Sequence, residues 1–274
     1  MQHTDVDYAE IFYHIEETLR NHSTLTREGF DSHFGQFSAV DYCGMSDDDI
    51  FWVLVYVPFY SGIRSSVVTP RLPTIKKYLY DFNQVKDYSE VEVNQMMSDP
   101  NMIRYRRKIE ACIANAREFD ALLKQHGSFS KYLESFGPLM EEATIKKLRA
   151  DLRARFRYLG PKTVNHFLMD LGLNVLKPDT VICRIFERLG LIDSRDDDEQ
   201  AIEVGRKMAV ATGYPIRYVD IILVKYGQVG GAGESENFGL KRGICLEKNP
   251  RCSVCGVTRY CGYYANNYGY MDTL

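Results

Sequence analysis

Four of the seven cysteines fall within seventeen residues, at Cys245, Cys252, Cys255 and Cys261, in the spacing C-x6-C-x2-C-x5-C. Thiolates hold iron–sulfur clusters and structural zinc, and a two-residue spacer in a tight loop brings two sulfurs to one centre. With no histidine in the segment, the site is a four-thiolate one, and spacing alone admits either a [4Fe-4S] cluster or tetrahedral zinc. The other cysteines, Cys43, Cys112 and Cys183, are scattered, and Met1 to Glu10 lacks the basic-then-apolar order of a secretory leader. A secreted disulfide framework is therefore not expected. No apolar run approaches the length needed to cross a bilayer, so no membrane partner is expected and the cytoplasm is the expected compartment.

The rest of the chain reads as helix. Tyr8, Ile11, Ile15 and Leu19 recur at three- and four-residue steps over 7–20. A polar connection runs from there to Met45. Ser46 followed by Asp47–Asp49 is a helix start, and the almost wholly apolar Ile50–Tyr60 predicts a helix buried on most sides, which Pro58 kinks or shortens. Further helices are expected over 74–82, 90–97 (capped by Ser89), 101–123, 129–136, 141–156, 162–171, 180–189, 199–210 and 218–226. Arg104, Arg106, Arg107 and Lys108 give the start of the 101–123 helix a basic surface. Residues 227–236 form a Gly-rich loop, and 263–274 an aromatic tail without a period.

Net charge is −3, yet charge is segregated. Lys146, Lys147, Arg149, Arg153, Arg155, Arg157 and Lys162 face one acid, Asp151, between them. A second basic stretch holds Lys241, Arg242, Lys248, Arg251 and Arg259. A protein that docks on a polyanion needs a local field rather than a basic average.

Phe156 to Thr163 joins two helices by a very short turn. Gly160 removes side-chain bulk where a backbone approaches a partner, and Pro161 suits the first helical position. The amides of Gly160, Lys162 and Thr163 are then placed for a phosphate, beside Arg157. Seventeen residues beyond Lys162, Asp179 precedes a helix and is its expected N-cap. A carboxylate fixed there also suits chemistry beside a cationic sugar, because breaking an N-glycosidic bond makes the sugar oxocarbenium-like.

In the order hairpin, Lys162, Asp179 and C-x6-C-x2-C-x5-C, the segment from about Phe156 to Cys261 resembles the endonuclease III superfamily of helix-hairpin-helix DNA glycosylases. The resemblance implies an all-α, two-lobed fold with a C-terminal [4Fe-4S] cluster loop, acting as a monomer. Residues 46–165 would form a helical barrel ending in the hairpin; 1–45 and 166–274, with cluster segment 245–261, would form the other lobe. It further implies that Asp179 is essential for base removal, that Lys162 attacks the sugar, and that Lys248 and Arg251 in the cysteine loop meet phosphates. The segments Asp99–Glu110, Asn115-Ala116-Arg117 and Phe156–Gly160 through Met169 to Leu173 are similar instead to the bacterial 3-methyladenine DNA glycosylase I family. That family's purine-reading glutamate is replaced near Val57 by an apolar residue, and the family lacks the cysteine cluster and the hairpin-linked aspartate.

Taken together, the expected protein is a nucleoid-associated base-excision glycosylase. It would flip a damaged nucleotide out of double-stranded DNA and hydrolyse its glycosidic bond, with an alkylated or deaminated purine as target. Trp52, Tyr56, Phe59, Tyr60 and His166 are the base-pocket candidates. Two alternatives stand beside it: a bifunctional glycosylase/AP lyase acting on oxidised bases through Lys162, and a non-catalytic DNA-binding homologue.

Overall fold

The structure, a computed structural model, describes residues 6–228 and 242–269. Among these residues the regular elements are helices. Contacts divide the chain into a split unit, Met1–Val40 with Asn174–Leu274, and a continuous unit, Asp41–Leu173.

The split unit begins with α1 (Tyr8–His22) and α2 (Arg27–Gly35). Asp7 caps α1 by accepting the Glu10 N–H, and Ile11, Phe12, Ile15 and Leu19 make its buried stripe. The region expected as connection thus contains a helix. Thr26 caps α2, and Phe30 and Phe34, four residues apart, are its only buried side chains, too few to leave a period in the sequence.

The continuous unit runs through α3 (Asp47–Tyr60), α4 (Ser65–Val68), α5 (Leu72–Leu79), α6 (Phe82–Val85), α7 (Glu90–Ser98), α8 (Arg106–His126), α9 (Phe129–Glu134), α10 (Glu142–Arg155) and α11 (Pro161–Asp170). α3 opens with a capping box, in which Ser46 accepts the Asp49 N–H at 3.1 Å while the Asp49 carboxylate accepts from Ser46. From Ile50 onward all but Trp52, Tyr56 and Tyr60 are buried. Pro58 does not stop the helix: it sits in the last turn, where few donors follow it. α8 starts five residues later than its apolar pattern suggests. Asp99 accepts the Asn101 N–H at 2.8 Å and turns the chain there, while Met102 and Ile103 are buried from outside the helix.

The expected lobe boundaries at 45 and 165 shift to 40 and 173. Tyr42 donates its N–H to Leu171 O at 2.9 Å, and α11 packs on α3 and α10, which keeps it in the continuous unit.

The split unit resumes with α12 (Thr180–Arg188), α13 (Asp198–Thr212) and α14 (Ile216–Gly227), which pack on one another, α13 and α14 also packing on α1. Gly190 and Gly213, with φ of 69° and 73°, take the left-handed conformation that ends α12 and α13. Of the expected Gly-rich loop, residues 229–236 lie outside the described residues, as do Lys241 and 270–274. The aromatic tail is partly helical, over Gly262–Tyr268.

Candidate functional site

The turn between α10 and α11 is held from behind by one buried side chain. Asn115 of α8, 1% exposed, donates Nδ2–H to Arg157 O at 3.0 Å and accepts the Arg157 N–H at 2.8 Å. Tyr158 then takes a left-handed φ of 63°, which a bulky residue adopts only when its surroundings enforce it. Thr163 enforces it by donating its hydroxyl to Tyr158 O at 2.7 Å. Gly160 itself is extended, with φ −74°, and a Cβ there would meet Thr163 Oγ1 at an ordinary 3.7 Å. Its glycine therefore relieves nothing within the chain; it clears the outer side of the turn. α11 starts at Pro161 without a side-chain N-cap, and the first turn of such a helix offers amide N–H groups to an anion. Arg157 and Lys162 are exposed there.

Beneath the turn lies Lys108, only 2% exposed rather than on the expected basic surface. It donates to Ser61 O, the C-cap of α3, at 2.6 Å, and lies 5.2 Å and 5.8 Å from the rings of Tyr105 and Tyr158. Burial holds its pKa below the usual lysine value. Sequence reading missed Asn115 and Lys108 as support for the hairpin, because an isolated Asn or Lys on a helix carries no sign of burial.

Trp52, Tyr56 and Tyr60 recur every four residues and share one half-buried face of α3. Their rings meet edge to face at 5.5 Å (Trp52–Tyr56) and 6.2 Å (Tyr56–Tyr60). α11 adds His166, whose ring is 6.2 Å from Tyr60. Asp170, 7% exposed, joins the group: it accepts from Tyr56 Oη at 2.8 Å and pairs with His166 Nε2 at 3.2 Å. Lys76 lies 5.6 Å above the Trp52 ring. Four of the five pocket candidates are thus neighbours. Phe59 is not one of them: it is fully buried on the other side of α3 and belongs to the core, as does Val57.

In the split unit Asp179 caps α12, accepting the N–H of Val181 and of Ile182, each at 2.9 Å. The same helix carries two buried arginines that no sequence pattern singles out. Arg184, 4% exposed, donates to Gly227 O at 2.6 Å, Cys245 O at 3.1 Å and Glu247 Oε2 at 3.0 Å. Arg188, 6% exposed, donates to Leu246 O at 2.7 Å and Cys245 Sγ at 3.3 Å, with its guanidinium 4.3 Å from the Tyr263 ring. One helix therefore fixes the carboxylate at its start and the cysteine segment along its length.

Among the described residues, no group of three or more His, Cys, Asp or Glu side chains is arranged to hold a metal ion. The donor chemistry nevertheless suits a four-thiolate group. Burial pushes the Cys255 thiol up to about 11 against the Tyr226 hydrogen bond at 2.9 Å, and the charges of Cys245 and Cys261 add to the rise. Burial likewise raises Cys252 and Cys261, each with a further push from Cys245. Cys252, Cys255 and Cys261, which resist ionising close to Cys245, with Arg188 donating to the Cys245 sulfur, are the kind of donor set that a shared cation would stabilise. Lys248 is exposed on the intervening loop, whereas Arg251 is half-buried and donates to Arg242 O at 3.2 Å, a structural contact. A cavity of about 710 Å³ in the split unit contains none of the expected site residues, and its lining of Asp193, Asp197, Glu199 and Glu203 suits no polyanion.

The methyladenine glycosylase family matches residues 41–197, a span that includes the aromatic face, the hairpin and Asp179. Among solved structures, the 8-oxoguanine DNA glycosylase of Methanocaldococcus jannaschii is similar at 17% identity and a TM-score of 0.55, over 78% of this chain and 92% of that one. That of Thermotoga maritima is similar at 18% identity and a TM-score of 0.52, over 79% and 95%. The 3-methyladenine DNA glycosylase I of Staphylococcus aureus shares 20% identity over 57% of this chain and 92% of that one, with a TM-score of 0.45. The fold is thus the all-α helix-hairpin-helix glycosylase fold, and the chain belongs to the methyladenine glycosylase family.

Proposed function

We propose that this protein is a DNA glycosylase that removes a modified purine, alkylated or deaminated, from double-stranded DNA by hydrolysing the N-glycosidic bond. The reading is carried by the family match, which runs unbroken from the aromatic face of α3 through the hairpin to Asp179. In this reading the hairpin holds a phosphate through the start of α11 and Arg157, with Lys248 adding a phosphate contact from the cysteine loop and Arg251 holding that loop in shape. Trp52, Tyr56 and Tyr60 stack on the flipped base, and the Tyr56–Asp170–His166 group orients it. The Asp179 carboxylate faces the positive charge that develops on the sugar and orients the attacking water. The protein acts as a monomer at the nucleoid; no helix among the described residues is long and apolar enough to cross a membrane.

We also propose that Cys245, Cys252, Cys255 and Cys261 bind a [4Fe-4S] cluster. When bound, the cluster cross-links the C-terminal segment to α12 rather than taking part in hydrolysis, which has no redox step.

One set of duplexes tests the function and separates its lyase alternative. Duplexes carrying 3-methyladenine, 7-methylguanine, hypoxanthine, 8-oxoguanine, uracil or thymine glycol are scored for free base, with and without borohydride. Release of modified purines with no trapped adduct is expected. Release confined to oxidised bases would overturn the purine reading. Lys162 favours the lyase alternative only by its exposed place at the hairpin. A borohydride-trapped protein–DNA adduct that disappears in Lys162→Ala would establish it as a nucleophile. Tight lesion binding with no release of any base would leave a DNA-binding homologue.

A further inference from the structure

We propose that Arg104, Tyr105 and Arg107 form a second phosphate-binding segment that lengthens the hairpin's grip along the DNA backbone. The proposal rests on the glycosylase reading above, and it adds a contact that neither the hairpin nor the cysteine loop supplies.

The sequence presents Arg104, Arg106, Arg107 and Lys108 as one basic run, and the structure sorts them into two kinds. Arg106 is occupied: it donates to Glu90 at 2.8 Å, Asn94 at 2.6 Å and Glu110 at 3.4 Å. Lys108 is buried under the hairpin, as described above. Arg104 and Arg107 are exposed, and neither has a carboxylate partner among the described residues. The nearby acids Glu90 and Glu110 are the ones already engaged by Arg106, so the outward field of this segment belongs to the other two guanidinium groups.

The segment is also tied to the hairpin. The buried Lys108 of this segment bridges it to the turn, lying close to the rings of both Tyr105 and Tyr158, 5.2 Å and 5.8 Å from their centres. Tyr158 stands two residues before Gly160, and Arg104 and Arg107 adjoin Tyr105 and Lys108 in the chain, so the exposed arginines belong to the segment that Lys108 ties to the turn. Tyr105 is 41% exposed, leaving its ring edge beside them. Two solvent-facing guanidinium groups and a phenol on a rigid base fit the negatively charged, regularly spaced oxygens of a DNA backbone. They contribute affinity without reading sequence.

The experiment measures affinity for undamaged and lesion-bearing duplexes as a function of salt. Arg104→Gln and Arg107→Gln should each weaken both duplexes in parallel and make the slope of log K against log[salt] shallower by about 0.9, one phosphate each. Arg107→Lys should keep the slope, because charge rather than shape sets it. Arg106→Gln should leave the slope unchanged, although its lost ion pairs lower thermal stability, which separates a structural effect from a phosphate contact. Arg157→Gln reports on the hairpin itself. If Arg157→Gln changes the slope while Arg104→Gln and Arg107→Gln do not, the second segment is refuted and the hairpin reading stands. If Arg106→Gln changes the slope as much as Arg107→Gln, the effect is structural and the proposal fails. If no variant changes it, the hairpin grip and the second segment fail together, whatever base release shows.

Discussion

Asp179→Asn is expected to lower base release by about 10²–10³-fold while leaving duplex affinity nearly unchanged, the loss that follows removal of one fixed charge from a transition state. The substitution suits the question because asparagine caps helices as well as aspartate does. Its Oδ1 can keep both bonds to the amides of Val181 and Ile182, so α12 stays in place and only the charge is lost. Asp179→Ala is the weaker test, since loss of the cap alone costs about 1 kcal/mol and confounds chemistry with stability. Single-turnover release at saturating enzyme reads the chemical step directly. Wild-type rates in Asp179→Asn would remove the carboxylate from the reaction.

The second large effect concerns the cysteine segment. Protein purified without oxygen should carry about four irons per chain, and Cys255→Ser should lose most of them. Cys255 is the informative position because its sulfur is packed against Tyr226, a fully buried ring that also anchors Ile244 and Cys245 through its backbone carbonyl. Ligand loss there should lower the urea midpoint of unfolding as well as the iron content, since metal binding and local folding are linked. A colourless protein with one zinc and unaltered base release would replace the cluster with a zinc site.

Much of this arrangement was legible in the sequence where the physics is local. Ser46 with Asp49, and Ser89 with Glu92, are capping boxes that announce α3 and α7. The period of α1 and the Asp179 cap of α12 are equally direct. The aromatic face of α3 was visible as composition, yet burial separates Phe59 from Trp52, Tyr56 and Tyr60, and burial depends on which helices pack alongside. The supporting side chains were the least legible. Asn115, Lys108, Arg184 and Arg188 act across gaps of some forty residues or more, from Arg157 (42 positions from Asn115) to Glu247 (63 from Arg184). Nothing local distinguishes them from solvated residues on an exposed helix.

The two bonds from Asn115 to Arg157 carry a kinetic consequence. They complete the backbone of the turn within the chain itself, so in the proposed reading an encounter with DNA needs no loop ordering and incurs little entropic cost. An enzyme that must inspect long stretches of undamaged duplex gains from this, because each contact is made and broken without a conformational step. Its residence time at each position is then governed by the exchange of counterions between the duplex and the basic side chains. Scanning should accordingly quicken as ionic strength rises, up to the point at which the protein leaves the DNA altogether.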